Sequence, residues 1–400
     1  MWRVLVFPSC NEPGLEIIEA LARSNKVQVL GGSSYDLETD PSRHLLAEHL
    51  RCPDFHHPRF EQDLRSLLRE HRVDMVFPTM DVLVAAMADY RVEGVTFITP
   101  EAQVARLLCS KRATYQQLAG VAPTPRLYDR DDQVTWPAYA KPDRGAGSRG
   151  HLLIEDQDDL AYARRKGLLV MEHLPGPEYT VDCLGDLDGR LLVANPRRRD
   201  RIGRGIALGS VATDEHGLRE LTQRIAQRLR IAGPWFAQFK LDRDGQPRLM
   251  EVNARVGGSM GLTRLAGVNI PLLAVFIYQG VPVRVPTLTP GLRVNRCLRN
   301  LAELEGAAWV VWDWDDTLLR KDGKADPEAV AALVDCHNRG LRQLLLTRNS
   351  EAQQQMAARG VPALFEQVIC AQDKVAAMRS LLAKLGCEAS AVVMVNDSNT

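Results

Sequence analysis

The sequence lacks the long apolar run that a membrane span would need. No unbroken apolar stretch approaches the ~18 residues of a spanning helix, and the run at residues 4–7 ends at Pro8, too short for a secretory signal. Lys+Arg and Asp+Glu number 50 each, so the formal net charge is zero and indicates neither nucleic acid nor a membrane surface. We therefore expect a cytoplasmic protein with no nucleic-acid or membrane partner.

Cysteine and histidine show no metal-binding pattern. The eight cysteines are scattered singly, without a CxxC pair or a Cys/His pair at zinc spacing. The nine histidines form no HExxH motif. Scattered cysteines predict buried, reduced thiols in a reducing compartment, which agrees with a cytoplasmic location.

Two common glycine-rich nucleotide signatures are also absent. The loop after the first predicted strand, residues 8–14, has no GxGxxG, so a dinucleotide site is not favoured there. No GK[ST] sequence occurs, which argues against a Walker-type phosphate loop. A nucleotide site in this chain must therefore be built from other residues.

The 400 residues suggest two to four domains. Residues 1–100 alternate strand and helix patterns, which predicts a parallel, doubly wound α/β sheet of Rossmann-like type. Residues 101–290 show strands with glycine-rich loops and predict an α+β domain ending in proline-rich residues 281–290. Residues 291–306 are predicted to be a linker, and residues 307–400 return to strand–helix alternation. Predicted strands of the first domain are residues 4–7, 27–30, 75–78 and 95–98, and its helices are residues 14–23 and 60–71.

A lysine followed by three glycines forms the strongest candidate site. Lys141 ends an apolar strand, and Gly145, Gly147 and Gly150 follow in the next loop. Glycine lets backbone N–H groups approach phosphate oxygens because no Cβ intervenes, and lysine adds a compact cation. By itself the pattern fits a tight hairpin turn with a solvated lysine equally well.

Two later hairpins carry acidic and amide side chains. Glu172 and Glu178 stand at the two ends of one turn. In the second hairpin Glu251, Asn253 and Arg255 alternate along one strand and therefore share a face. Oxygen ligands on one face suit Mg²⁺, which takes few protein ligands and leaves room for phosphate oxygens. The alternative is the solvent side of a half-buried strand.

Together these segments resemble the ATP-grasp superfamily over residues 1–290, including residues 110–114 and 120–125. The similarity is to the large chain of carbamoyl-phosphate synthase and related carboxylate–amine ligases. The resemblance implies phosphate contacts from Lys111, Lys141, Gly145, Gly147 and Ser148, and adenine contacts from Glu172, His173 and Leu174. It further implies a ribose contact from Glu178, magnesium ligands Gln238, Glu251 and Asn253, and phosphate stabilisation by Arg255.

The resemblance also implies a reaction. ATP with Mg²⁺, or Mn²⁺ in its place, phosphorylates a small carboxylate to an acyl phosphate, and an amine then displaces the phosphate. Such a site needs positioning and charge neutralisation more than covalent chemistry. The lysines, the magnesium ligands and the arginine provide both. The implied substrates are amino-acid-like, and a homodimer is common among such ligases.

Residues 196–205 form the only dense basic run. Aromatic residues are not interleaved with the arginines, so a nucleic-acid surface is not favoured. We interpret the run as a mobile loop beside the γ-phosphate that also receives an anionic substrate, since arginine forms bidentate bonds with carboxylate or phosphate. A solvated charged loop is the alternative, and the sequence does not identify which arginines contact a ligand.

The last hundred residues carry a second candidate site. Residues 310–312 form an apolar run before Asp313 and Asp315, a DxDxT pattern in which one carboxylate can attack phosphorus while the other moves a proton. Thr347 and Asp397 each follow an apolar strand, and Lys374 begins a helix. Catalytic groups at the carboxyl ends of parallel strands are typical of open α/β sheets.

This order resembles the haloacid-dehalogenase superfamily from about residue 307 onward. The resemblance implies Asp313 as the nucleophile, Asp315 as general acid/base, and Asp313 and Asp397 as magnesium ligands, with Thr347 and Lys374 on the phosphoryl oxygens. The pattern stops three residues after Asp397, so we expect the closing strand and helix of this fold to be missing and the domain to be incomplete.

Three functions remain open from the sequence. The leading hypothesis is an ADP-forming carboxylate–amine ligase with an associated phosphohydrolase-like domain. The second places the main activity in a phosphatase or phosphotransferase domain with a regulatory ATP site. The third is a nucleotide-binding scaffold without turnover.

Overall fold

The computed structural model describes residues 1–36, 39–46, 48–145, 147, 150–203, 205–297 and 308–396. The chain separates into two compact units, Met1–Arg299 and Asn300–Thr400. Within the described residues, no helix is long and apolar enough to cross a bilayer. Two predicted ligand contacts, Ser148 and Asp397, lie outside the described residues.

The first unit begins with a five-stranded parallel sheet. Its strands are β1 (Trp2–Phe7), β2 (Val27–Ser33), β3 (His49–Arg51), β4 (Met75–Pro78) and β5 (Thr96–Phe97), and its helices are α1 (Glu12–Leu21), α2 (Phe60–Glu70) and α3 (Asp81–Met87). The strand order is β3-β2-β1-β4-β5. The last four residues of β1 are all buried, as expected of a central parallel strand covered on both faces.

Helix α1 begins two residues before the predicted start at residue 14. The side-chain oxygen of Asn11 accepts a hydrogen bond from the backbone N–H of Gly14 at 2.8 Å and so caps the helix. Pro13, which has no N–H to leave unpaired, fits the first turn. The cap therefore sets the helix start, rather than the first apolar residue of the periodic pattern.

Two antiparallel sheets follow the parallel sheet. The smaller contains β6 (Ala138–Lys141), β7 (Leu152–Ile154) and β8 (Leu169–Glu172) in the order β7-β6-β8, with helix α6 (Gln157–Arg165) packed against it. Helices α4 (Ala102–Leu108) and α5 (Lys111–Gln117) precede it in the chain and pack against the larger sheet. The larger contains β9 (Glu178–Gly185), β10 (Leu191–Gly203), β11 (Ile206–Ala212), β12 (Gly233–Leu241), β13 (Pro247–Asn253) and β14 (Arg293–Asn295). Its order is β13-β12-β9-β10-β11-β14, and helices α7 (Leu218–Leu229), α8 (Gly261–Leu265) and α9 (Ile270–Tyr278) accompany it.

The larger sheet has two apolar cores. On one side, α7 places Leu218, Leu221 and Ile225 at helical spacing against residues of β9 and β12. On the other side, Phe236 of β12 shares a core with Val4 of β1. The first unit is therefore continuous between the parallel sheet and the larger antiparallel sheet.

Two predicted loop segments are strands. Residues 197–203 of the basic run belong to β10 and pair with β11, so the interpretation of this run as a mobile loop is wrong for the described arginines. Residues 293–295 of the predicted linker form β14, which pairs with β11. In both places the sequence has loop-like composition, but backbone pairing determines the structure, with the next strand of the chain for β10 and with a strand about 80 residues away for β14.

The second unit contains a four-stranded parallel sheet. Its elements are β15 (Trp309–Trp312), α10 (Pro327–Asn338), β16 (Arg342–Thr347), α11 (Ala352–Arg359), β17 (Gln367–Cys370), α12 (Lys374–Leu385) and β18 (Val392–Val395). The strand order is β17-β16-β15-β18. The four residues of β15 are buried, which places Asp313 directly after a central strand.

Candidate functional site

A cleft in the first unit is lined by residues of both antiparallel sheets. Most of the residues predicted to bind nucleotide or metal line this cleft: Lys111, Lys141, Gly145, Gly147, Glu172, His173, Leu174, Glu178, Gln238 and Glu251. Four polar or charged side chains that line the cleft were not assigned individually from the sequence: Tyr139, His151, Arg199 and Lys240. The fold thus brings three separate sequence motifs to one place.

The glycine loop is attached to the start of α5. The carboxylate of Asp143 accepts hydrogen bonds from the Ser110 hydroxyl at 2.8 Å and from the Arg112 N–H at 2.8 Å. Lys111 Nζ donates to the Gly145 carbonyl at 3.1 Å. Gly145 has a φ of 126°, in a region that residues with a Cβ rarely adopt. The loop is therefore held at its base by Asp143, a residue that the sequence did not single out.

Lys141 is the most deeply buried cation of the cleft, with 1% of the residue exposed. Its Nζ donates to the Met250 carbonyl at 3.1 Å and lies 5.8 Å from the ring centroid of Tyr115. Burial lowers the pKa of Lys141 to about 8, although the nearby Glu251 carboxylate acts in the opposite direction. Among the described residues the ammonium has one hydrogen-bond acceptor, so it can also bind an anion.

The low pKa of Lys141 predicts a pH-dependent nucleotide affinity. In the free protein the ammonium loses its proton as pH rises through about 8, well below the usual 10.5. An anion that needs the charged lysine should therefore bind most tightly below pH 8, and weaken by about tenfold per pH unit above it. We expect this profile when the ATP dissociation constant is measured from pH 7 to 9.5. Lys141→Met should flatten the profile, and an unchanged slope in that variant would contradict the assignment.

The turn after β8 presents Glu172, His173 and Leu174 to the cleft. Glu172 is held by the backbone of Arg126, whose N–H donates to the carboxylate at 3.0 Å and whose carbonyl accepts from the Glu172 N–H at 2.9 Å. Burial, followed by the charges of Lys240 and Arg243, lowers the pKa of His173. This edge of the cleft therefore offers a fixed carboxylate oxygen and backbone groups.

Glu178 is at the centre of a network that the sequence did not predict. One carboxylate oxygen accepts from Arg199 Nη1 at 2.9 Å, and the other accepts from Lys240 Nζ at 3.3 Å. Lys240 is paired directly with Glu178 across β12 and β9, which explains the contact. The charge of Glu178 is thus balanced by two cations that also line the cleft.

Gln238 and Glu251 are direct cross-strand partners on β12 and β13. Gln238 Oε1 accepts from Arg199 Nη1 at 3.2 Å, and the carboxylate of Glu251 accepts no hydrogen bond from the described residues. No cluster of three or more His, Cys, Asp or Glu side chains suited to a metal occurs among the described residues. One free carboxylate and one amide oxygen fit Mg²⁺, which takes most of its ligands from water and phosphate.

Asn253 and Arg255 do not line the cleft. Asn253 is buried, and Arg255 forms a bidentate ion pair with Asp81, with distances of 2.9 and 3.2 Å. The guanidinium of Arg255 also lies 5.2 Å from the ring centroid of Phe236. In the structure the charge of Arg255 is balanced by Asp81, the first residue of α3. A contact between Arg255 and phosphate remains a prediction.

His151 and Tyr139 form the remaining unpredicted pair in the cleft. The Tyr139 hydroxyl lies 3.0 Å from His151 Nδ1. Burial, reinforced by the charges of Lys141 and Lys111, lowers the pKa of His151 to about 4. The imidazole is therefore neutral at physiological pH and contributes polarity, not charge, beside the glycine loop.

The basic run contains arginines in very different environments. Arg197 is fully buried and forms a bidentate ion pair with Asp182, at 2.9 and 3.1 Å. Arg199, two residues further along β10, lines the cleft. Arg198 faces solvent and pairs with Asp200. Arg197 is thus a structural arginine, Arg199 a cleft arginine and Arg198 a surface arginine.

The second unit groups its predicted residues at the carboxyl end of its sheet. Lys374 donates to the Asp313 carboxylate, and Asn349 Nδ2 donates to Asp315 at 3.1 Å. Thr347 ends β16 and is buried. The neighbouring Thr317 hydroxyl is buried without a hydrogen-bond partner among the residues that the structure describes.

The sheets and the cleft of the first unit define an ATP-grasp fold. A family model described as ATP-grasp in the biosynthetic pathway with Ter operon matches residues 164–299. That match ends before the second unit, whose predicted haloacid-dehalogenase resemblance remains a prediction.

Solved structures agree with this fold. The biotin carboxylase domain of Hydrogenobacter thermophilus 2-oxoglutarate carboxylase, a dimer in complex with MgADP, ADP and bicarbonate, is 19% identical, with a TM-score of 0.60 over 70% of each chain. N5-carboxyaminoimidazole synthetase from Staphylococcus aureus, complexed with ADP, is 13% identical, with a TM-score of 0.61 over 74% of this chain and 82% of its own.

The L-amino acid ligase of Bacillus licheniformis is also similar, at 19% identity and a TM-score of 0.56 over 70% of this chain and 74% of its own. The comparison with curated proteins found no match. At these identities the structural likeness establishes the fold and leaves the substrates open.

Proposed function

We propose that the first unit is a Mg-ATP-dependent, ADP-forming ligase that activates a small carboxylate as an acyl phosphate for attack by an amine. The observation that carries the proposal is the convergence of the glycine loop, the Glu172–Glu178 turn and the Gln238/Glu251 pair on one cleft. Three solved relatives of the same fold are a biotin carboxylase domain, a carboxyaminoimidazole synthetase and an amino acid ligase.

Each group of cleft residues would bind a different part of the nucleotide. Lys111, Lys141 and the glycine loop would hold the phosphates. Glu172, with the backbone of His173 and Leu174, would hold the adenine, and Glu178 would hold the ribose. Because Lys141 is buried, its attraction for a developing phosphoryl charge is weakly screened by water.

The metal site would use Gln238 and Glu251, the two predicted ligands that line the cleft. Asn253, two residues beyond Glu251 on β13, remains the predicted third ligand. Bound Mg²⁺, or Mn²⁺ in its place, would supply charge neutralisation on the phosphoryl oxygens. Arg255 would act on the transferring phosphate after release from Asp81. We also expect a homodimer in the cytoplasm, in keeping with the dimer of the Hydrogenobacter domain.

A substrate screen tests this function. The purified protein is incubated with Mg-ATP and pairs of amino acids and small acids, and ADP formation is measured together with the mass of the product. We expect ADP only with a matching carboxylate and amine, and a product mass equal to their sum less one water. Tight ATP binding without ADP across the whole panel would instead support a nucleotide-binding scaffold.

A second activity is proposed for the second unit, a magnesium-dependent phosphohydrolase or phosphotransferase of the haloacid-dehalogenase type. The pairing of Asp313 with Lys374 at the end of β15, beside Thr347 and Asp315, favours it. The chain should cleave a chromogenic phosphate ester in the presence of Mg²⁺, and Asp313→Asn should abolish this cleavage because the attacking oxygen is lost. Cleavage that persists in Asp313→Asn, with ADP formation by the first unit unchanged, would refute this second activity.

A further inference from the structure

An ion pair connects the proposed phosphate end of the site with the N-terminal parallel sheet. Arg255 comes two residues after β13, the strand that carries Glu251 and Asn253. Asp81 is the first residue of α3, which follows β4. The carboxylate of Asp81 accepts from Arg255 Nε at 2.9 Å and from Arg255 Nη2 at 3.2 Å. The pair therefore lies where the predicted metal-binding strand meets the first sheet.

Asp81 stands at the carboxyl end of the parallel sheet. The strand order is β3-β2-β1-β4-β5, so the chain runs outward from β1 on one side and from β4 on the other. Asn11, after β1, donates from Nδ2 to the hydroxyl of Thr79, after β4, at 2.9 Å. Ligands of open α/β sheets bind outside the carboxyl ends of the strands at such a reversal. The topology therefore places Asp81 beside a candidate position for a small substrate.

The carboxylate of Asp81 is open to a second cation. Arg255 is its only hydrogen-bond donor among the residues that the structure describes, and the Asp81 side chain is 25% exposed. A carboxylate offers about four lone-pair positions, and Arg255 uses only part of them. Asp182 differs, because it is fully buried and accepts from both Arg197 and Thr263. A small molecule can thus reach Asp81, whereas Asp182 is enclosed.

Release of Arg255 from Asp81 requires new partners for both charges. The Arg255 side chain is 11% exposed, so its charge is largely withdrawn from water. Removing one member of such a pair leaves the other charge poorly compensated and is strongly unfavourable. In the proposed function the anionic phosphate replaces Asp81 as the partner of Arg255. Asp81 then needs a cation, and the amine substrate is a reactant that brings one.

We propose that Asp81 binds the ammonium group of an amino-acid substrate when Arg255 turns to the phosphate. This inference rests on the proposed function, which supplies both the phosphate and the amine. An ammonium donates up to three hydrogen bonds, and a carboxylate accepts them as strong, charge-assisted bonds. The two exchanges occur together, so neither Arg255 nor Asp81 is left as an unpaired charge. Nucleotide and amino acid should therefore strengthen each other's binding, because each one frees the residue that binds the other.

The test measures how an ATP analogue changes the affinity for an amino acid. A thermal-shift screen of the standard amino acids, on protein saturated with Mg²⁺ and the non-hydrolysable analogue AMPPNP, selects the amino acid. Calorimetry then gives its affinity with and without AMPPNP. We expect AMPPNP to tighten amino-acid binding about tenfold in the wild type, within the usual range of such coupling. Asp81→Asn should abolish this tightening, and the N-acetyl derivative, which has no ammonium, should show none in the wild type.

Asp188→Asn is the matched control, since it neutralises a carboxylate whose side chain is 75% exposed, and should leave the coupling unchanged. Equal loss of affinity with and without AMPPNP in Asp81→Asn would assign Asp81 a structural role and overturn the inference. Full tightening for the N-acetyl derivative, or a nucleotide-loaded wild type that binds no amino acid, would overturn it too. If Asp81→Asn fails to fold, the double variant Asp81→Asn with Arg255→Met replaces it, and coupling that persists there contradicts the inference. Failure of the wild type to bind AMPPNP would instead refute the proposed function itself.

Discussion

Lys141→Ala should reduce ADP formation by at least about 100-fold, the range seen when one preorganised charge contact to a transition state is removed. The ammonium is buried beside Glu251 and, among the residues that the structure describes, has one hydrogen bond, to the Met250 carbonyl. Of the other two lysines that line the cleft, Lys111 is engaged by the Gly145 carbonyl and Lys240 by the Glu178 carboxylate. ADP formation with the matching substrates is the measurement.

Two control variants make the Lys141 result specific. Lys141→Met fills most of the same volume without charge, so it separates loss of the cation from loss of packing against Tyr115. Lys26→Ala removes an exposed lysine of the first unit and should leave the rate unchanged. Undiminished ADP release from Lys141→Ala, in a protein with unaltered melting temperature, would show that this cleft does not carry out the reaction.

Asp182→Ala should lower the free energy of unfolding of the first unit by about 3–5 kcal/mol, since it leaves the Arg197 charge buried without its partner. Asp182 is 0% and Arg197 1% exposed, and the carboxylate also accepts from the Thr263 hydroxyl at 2.7 Å. Unfolding by urea, followed by tryptophan fluorescence, measures the change. Trp235 lies on the neighbouring strand β12, paired with β9, and reports on this region.

A double variant shows whether the loss comes from the orphaned charge. Asp182→Leu combined with Arg197→Met replaces both charges by apolar groups and should recover much of the stability lost in Asp182→Ala. Asp188→Ala removes a carboxylate whose side chain is 75% exposed and should change stability by less than about 0.5 kcal/mol. A loss below about 1 kcal/mol in Asp182→Ala would mean that water or a nearby hydroxyl compensates Arg197.

Local sequence patterns were sufficient to predict as site residues those whose backbone conformation is set by their neighbours in sequence. Lys141 ends an apolar strand and precedes glycines, and Glu178 follows a turn with Gly176 and Pro177. Such motifs specify their own backbone, because glycine, proline and strand alternation act over a few residues. The structure brings both residues to one cleft.

The arginines of residues 196–205 show where local sequence patterns fail to predict the structure. Arg197 and Arg199 look alike in sequence, yet one is paired with Asp182 and the other opens onto the cleft. A dense charge run ordinarily indicates a solvated loop, and the partners that bury these two charges come from β9 and β12. Lys240 was missed for the same reason, because its contact with Glu178 depends on the register of two strands.

The sequence by itself determined the alternation of strands and helices, the glycine loop and the order of the candidate nucleotide residues, because each depends on interactions within a few positions of the chain. The tertiary structure decided which charges are neutralised inside the protein and which remain for a ligand. Arg255 pairs with Asp81, 174 residues away, while Glu251 lines the cleft with a carboxylate that has no hydrogen-bonding partner among the described residues. The physical reason is that the environment of a charge is set by whatever packs around it, and in a folded sheet those groups come from distant parts of the chain.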